Sequence, residues 1–233
     1  MTSVVSSLNK RNLNQNGLSK SSVKVAAMLI IWFIVILLLS LNQFFVPVRG
    51  EPPLNILLSA LLSIGVFFLA YWRADKFRNF VLNIDMRFLI MLHSWRMLGM
   101  GFVMLYMLDQ LPPLFAFLAG FGDAATAIAA VFLTYALFIR AEGVSKKTIW
   151  RWNAFGLVDF IIAVSIGILT QTDALFFSAS GISSDLMTVY PFVLVPAFLV
   201  QVFTITHIII FLQLRHSKKD DNYIKFEPQG VSE

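Results

Sequence analysis

The stretch RFLIMLHSWRMLGMGFVMLYML, residues 87–108, would dissolve in lipid were it not for His93 and Arg96 near its middle. How this stretch is read decides the fold. About 20 helical residues, each rising 1.5 Å, cross the ~30 Å hydrocarbon core of a bilayer. The segment therefore has the length of a membrane span. Within such a span an arginine meets no water, so its presence predicts partners at its own depth.

The rest of the chain points to the same solvent. Of 233 residues 58% are hydrophobic and only 13% charged, with 23 phenylalanines, and the mean hydropathy is +0.77. Soluble domains carry about 25% charged residues. Six apolar stretches are long enough to span: Val25–Val46, Leu54–Trp72, Arg87–Leu108, Leu114–Ile139, Trp150–Thr170 and Pro191–Leu214. The first is too long for a signal-peptide core and lacks a small-residue cleavage pattern, so it reads as an uncleaved signal anchor. The fold class is then all-α, a polytopic bundle of six transmembrane helices over residues 25–214, with 1–24 and 215–233 as cytoplasmic tails, the first of them disordered.

Basic residues orient the bundle. Four each fall in the N-terminal tail, the second link, the fourth link and the C-terminal tail, while the other three links hold only Arg49. That asymmetry predicts both termini in the cytoplasm. Trp72, Trp150 and Trp152 then fall at the inner interface, and Tyr106 and Tyr190 at the outer one. The charge of +5 is dispersed among short clusters between apolar runs, which predicts a bilayer as partner and no nucleic acid. With no cysteine, disulfides, thiolate metal sites, thiol nucleophiles and Cys-held iron–sulfur clusters are excluded. The link from Asp109 to Pro113 is short enough to make its flanking helices antiparallel neighbours. The longest link, roughly 171–190, reads as an external loop in which Phe176 and Phe177 could dip into the interface.

The spans differ in polarity. The first two contain nothing more polar at depth than Ser40, Ser59 and Ser63, and so can face lipid. The last four carry costly groups, and helical rise places Arg96, Asp123 and Asp159 near the midplane. A central charge costs about 2.5–3.5 kcal/mol when unpaired, so these groups should face one another. Helical stripes support this: Gly120, Asp123, Ala124 and Ala127 on the fourth span; Asn153, Gly156, Asp159, Ala163 and Gly167 on the fifth; Ala197, Gln201, Thr204 and His207 on the sixth. Arg96, Asp123, Asp159, Asn153, Gln201, Thr204, His207 and His93 are the expected residues of a proton- or solute-binding site.

One guanidinium faces two carboxylates. The expectation is that Asp159 pairs with Arg96, leaving Asp123 as the group that titrates or holds a cation. The plainer alternative is a structural ion pair fixing helix packing. In AGFGD, residues 119–123, the two glycines are consistent either with a half-helix capped by Asp123 or, the favoured reading, with a continuous helix packed closely at its glycines. No strand precedes them, so they are not a dinucleotide fingerprint. His93 and His207 lie at matched depth and could be axial ligands of a b-type haem, giving an electron carrier. No internal repeat supports an inverted-repeat transporter.

The segments RMLGMGFVMLYMLDQLPPLFAFLAGFGDAATAIAA, NAFGLVDFIIAVSIGIL and LVPAFLVQVFTITHIIIFLQLR resemble a group of bacterial integral membrane proteins without assigned function. The shared pattern is R-x-x-G, then L-P-x-x-F-A-x-x-A-G-x-G-D, N-x-x-G-x-x-D and P-x-F-x-x-x-x-F-x-x-x-H. It is matched here by Arg96, Gly99, Gly122, Asp123, Asn153, Gly156, Asp159, Pro196 and His207. The resemblance covers residues 90–214, leaves out His93, and implies a bacterial inner-membrane location without a chemistry.

The leading expectation is a membrane protein that binds or moves a proton, cation or small polar solute at mid-membrane. The runners-up are a haem-binding electron carrier and a non-catalytic membrane subunit. An enzyme is the least expected class, with no catalytic residue, metal ligand or other cofactor indicated by the usual spacings.

Overall fold

The computed structural model describes residues 2–140, 143–176, 181–217 and 223–224, with side chains from residue 22 onward. It is all-α. Helix α1 is Thr2–Leu41, α2 Leu54–Arg73 and α3 a short Asp75–Leu82. α4 spans Met86–Met107, α5 Pro113–Ile139, α6 Lys146–Leu169 and α7 Val195–His216. Six of these, all except α3, contain stretches long and apolar enough to cross a membrane, the pattern of a multi-pass membrane protein.

Several boundaries differ from the sequence reading. Residues 2–24, expected to lack regular order, continue α1 as helix. No proline interrupts them, and extending an existing helix avoids the cost of a new nucleus. The C-terminal segment is not wholly irregular either, since Tyr223–Ile224 pairs antiparallel with Val144–Ser145. Phe177, in the loop expected to be external, lies outside the described residues.

α4 carries the largest local departure. Residues His93–Gly99 wind as a 3-10 helix between α-helical ends Met86–Leu92 and Met100–Met107. Such runs seldom exceed three or four residues, and they place positions i and i+3 in line. Here that line is His93, Arg96 and Gly99, all buried, while Trp95, Met97 and Leu98 face outward. α7 has its own irregularity, a π-helical first turn at Val195–Leu199. By contrast α5 is continuous through Gly120 and Gly122, as the close-packing reading of AGFGD expects. Its start is shaped by Pro112 and Pro113, the latter at a position where the missing N–H costs nothing.

Two apolar cores flank a polar layer. One gathers Phe67, Tyr71, Val81, Ile90, Leu137, Ile149, Trp152 and Ile210. The other gathers Phe102, Leu111, Phe115, Ala116, Ala119 and Met187. Along α4, α5 and α6 the charged residues lie between these cores. α2 lies along α7, and on α1 Trp32 and Phe33 meet Phe198 edge-on at 5.0 and 5.1 Å. Gln213 of α7 donates to the main-chain oxygens of Val81 and Ile84 at 2.9 Å each. It thereby ties the end of α3 and the following turn to the bundle.

Candidate functional site

Arg96 is 2% exposed, and three neighbouring helices supply its partners. Its Nε donates to Asp123 Oδ1 of α5 at 2.7 Å, and its Nη2 pairs with Asp159 Oδ2 of α6. Nη1 donates to the Gly156 main-chain oxygen at 3.3 Å and contacts His207 Nε2 of α7 at 3.1 Å. The Phe160 ring lies under the guanidinium, 3.7 Å from its central carbon, a cation–π contact. Both carboxylates thus lie on Arg96, as the expectation that these groups face one another requires, while the narrower assignment of Asp159 as its one partner is corrected. Nε and Nη2 form a single edge of the guanidinium, so the two acids sit side by side.

The tautomer of His207 follows from its neighbours. A guanidinium nitrogen can only donate, so Nε2 accepts and Nδ1 carries the proton. Nδ1 donates to Asn153 Oδ1 at 2.8 Å, and Asn153 Nδ2 donates back to the His207 main-chain oxygen at 3.2 Å. His93 forms a second layer. Thr206 gives its hydroxyl proton to Phe203 O at 2.8 Å, so its oxygen accepts from His93 Nε2 at 3.0 Å. His93 Nδ1 has no partner among the described residues, although the side chain is wholly buried. The two imidazole rings pack on each other, 4.0 Å between centroids and 35° between planes. Rings in direct contact leave no gap for a porphyrin plane between them.

The close approach rests on three glycines. A Cβ on Gly99 would collide with the Asp123 carboxyl, and one on Gly122 with the Asp159 carboxyl. A Cβ on Gly156 would come within 2.5 Å of His207 Nε2 and 3.0 Å of Arg96 Nη1. Each glycine is thus a notch that seats a polar side chain from the next spanning helix. Gly120 lets α4 and α5 approach further, its would-be Cβ lying 3.1 Å from Gly99 O.

Of the residues expected at the site, Arg96, Asp123, Asp159, Asn153 and His207 are brought together, with His93 adjoining. Gln201 and Thr204 are not. Gln201 Nε2 donates to Ser59 Oγ at 2.7 Å and its Oε1 accepts from Ser63 at 2.9 Å. α2 is therefore clamped to α7 rather than left wholly to face lipid. Among the described residues Thr204 bonds only to Val200 O in its own helix, at 2.7 Å. Trp152, expected in the interfacial belt, is 6% exposed. It donates to Thr126 O at 3.1 Å, and its ring centroid lies 5.2 Å from that of His93. Sequence reasoning missed Thr206, Phe160 and the seating role of the glycines. Among the described residues no group of three or more His, Asp or Glu side chains is arranged to hold a metal ion.

Residues 52–215, well over half of the chain, match a family model described as Domain of unknown function (DUF8737). No curated protein and no solved structure matches the chain.

Proposed function

The chain belongs to the family described as Domain of unknown function (DUF8737), and we propose that it is a six-span protein of the bacterial inner membrane whose buried cluster binds, and moves, a proton, cation or small polar solute. Both termini lie in the cytoplasm in this reading, from the distribution of Lys and Arg. One observation carries the functional part: a single guanidinium faces two carboxylates between the two apolar cores. A pure packing device needs one acid for one base. An intramembrane acid beyond that number marks ion and proton pathways.

The test is flux of protons, Na+, K+ and a panel of small polar solutes into liposomes holding the purified protein. Wild type should carry at least one of these above the rate of empty liposomes, and Asp123→Asn should abolish it. Absence of flux for every species, with no species stabilising the protein thermally, would refute the reading. A structural role for the cluster is the second reading, favoured by the glycine notches that seat both acids and by the use of both guanidinium edges. It predicts that the aspartate variants lose stability with no flux to lose. Topology has a separate check: the chain lacks cysteine, so single cysteines can be added without background. Those at Glu51 and Gln110 should react with an impermeant thiol reagent from outside, and those at Lys76 and Lys147 only after permeabilisation.

A further inference from the structure

We propose that Asp123 and Asp159 together form a proton-binding site, holding one exchangeable proton between two carboxylates on one edge of Arg96 and exchanging it through Asp123. The proposal rests on the reading above that the cluster's extra acid is functional, and it names the occupant.

The geometry separates the candidates. A solute bearing a carboxylate or phosphate would dock on a free edge of the guanidinium. Neither edge is free: Nε and Nη2 hold the two aspartates, and Nη1 holds Gly156 O and His207 Nε2. A hard divalent cation needs about six or more oxygen ligands. Here Asp123 Oδ2 and Asp159 Oδ1, which have no hydrogen-bond partner among the described residues, lie against Gly99 and Gly122 respectively. Both spaces are small enough that a methyl group would not fit. A proton requires only a hydrogen bond's worth of room.

The groups facing the pair are few. α4 contributes Arg96 and, behind it, His93; α5 contributes Asp123, α6 Asp159 and α7 His207. His207 accepts from Arg96 at Nε2 and is neutral. The Arg96–carboxylate group therefore alternates between one net negative charge, when both acids are ionised, and none, when one carries a proton. Asp123 is the less buried member, its side chain 16% exposed against 7% for Asp159 and 1% for Arg96, and the exchange is assigned to it. A hydronium ion gives its proton to the Asp123 carboxylate, which becomes a carboxyl, and is left as water. The proton leaves by the same group, or passes to Asp159 beside it, with Arg96 protonated throughout.

Infrared difference spectroscopy of the reconstituted full chain, stepped in pH, tests this directly. Wild type should show the C=O stretch of a protonated carboxyl at a pH where surface carboxylates are ionised, and the band should shift in D2O. Asp123→Asn and Asp159→Asn should each lose the band, because each leaves one acid for one guanidinium. A wild type without the band, but with carboxylate bands that respond to Na+ or K+, would overturn the proton assignment and leave a cation site. Neither band nor cation response would overturn both readings. A band unchanged in both variants belongs to another acid and overturns the proposal. If one variant fails to fold, the other still assigns the band, because either substitution alone should remove it.

Discussion

Replacing Gly122 by alanine tests the notched packing with a single methyl group. A Cβ there would overlap Asp159 Oδ1. Relief of that overlap parts the helices and draws the carboxylate off Arg96. Overpacking of this kind costs about 1–3 kcal/mol, and a lost hydrogen bond to a charged group costs about 1.5–3 kcal/mol. Alanine's better helix propensity returns about 1 kcal/mol. The net expectation is a loss of about 1.5–5 kcal/mol. The controls are Gly65→Ala and Gly101→Ala, since a Cβ at either meets nothing within 4 Å. They should be neutral or stabilising by up to about 1 kcal/mol. The assay is reversible unfolding in mixed micelles, with the cycle completed by Asp159→Ala. In the double variant the methyl group has no carboxylate to displace, so the two losses should fall well short of adding. Gly122→Ala as stable as Gly65→Ala, or strict additivity in the cycle, would refute the notch.

Arg96→Lys should destabilise by about 3–5 kcal/mol, because an ammonium is a point charge and cannot span both acids, Gly156 O and His207; micelle unfolding measures it. Gln201→Leu should cost only about 0.6–1.7 kcal/mol, the range for interhelical hydrogen bonds in membranes, since Ser59 keeps its bond to Ile56 O and Ser63 can turn its hydroxyl proton to Ala60 O, and it should leave any flux intact. Asp85→Ala should cost about 0.5–2 kcal/mol, at the low end because the site is exposed, for Asp85 Oδ1 caps α4 by accepting from Arg87 N at 2.9 Å. Partial burial alone would raise the Asp85 pKa, but the hydrogen bonds and charge of Arg87 outweigh it and lower it from 3.8. The Asp85 contribution is therefore complete above that value and disappears as pH falls through the lowered native one, a dependence that a pH series of melting curves on wild type and Asp85→Ala should show.

Much of this arrangement is legible in the sequence because lipid offers charges few alternatives. Arg96, Asp123 and Asp159 at matched depth had to meet, and His93 and His207 at matched depth do touch. What escaped detection depends on local backbone and on small surfaces. The spacing of His93, Arg96 and Gly99 is compatible with α and 3-10 winding alike, and only the tertiary contacts select the second. Gln201 shares a stripe with His207, but Ser59 and Ser63, four residues apart on a helix read as lipid-facing, capture it first. That pair of serines was the available signal. Trp152 follows a basic cluster and so suggested an interfacial ring. Yet α6 starts at Lys146, which carries Trp152 almost two turns inward, to the wall beside His93.

The three notches also explain how a buried arginine can be held without a large cavity. Asp123 enters at Gly99, Asp159 at Gly122 and His207 at Gly156, so each spanning helix from α5 to α7 inserts a polar group into the one before it. All three inserted groups contact the same guanidinium. A slip of one residue in any helix moves its side chain about 1.5 Å along the axis and turns it by about 100°. The slipped residue would then meet a Cβ instead of a notch and would also abandon Arg96. Steric fit and charge pairing thus demand the same register at three successive interfaces. Hydrocarbon provides no hydrophobic drive to hold helices together, so that agreement substitutes for it. The 3-10 winding of α4 completes the device. By bringing His93, Arg96 and Gly99 into line, it lets one face of one helix present the histidine, the guanidinium and the first notch together.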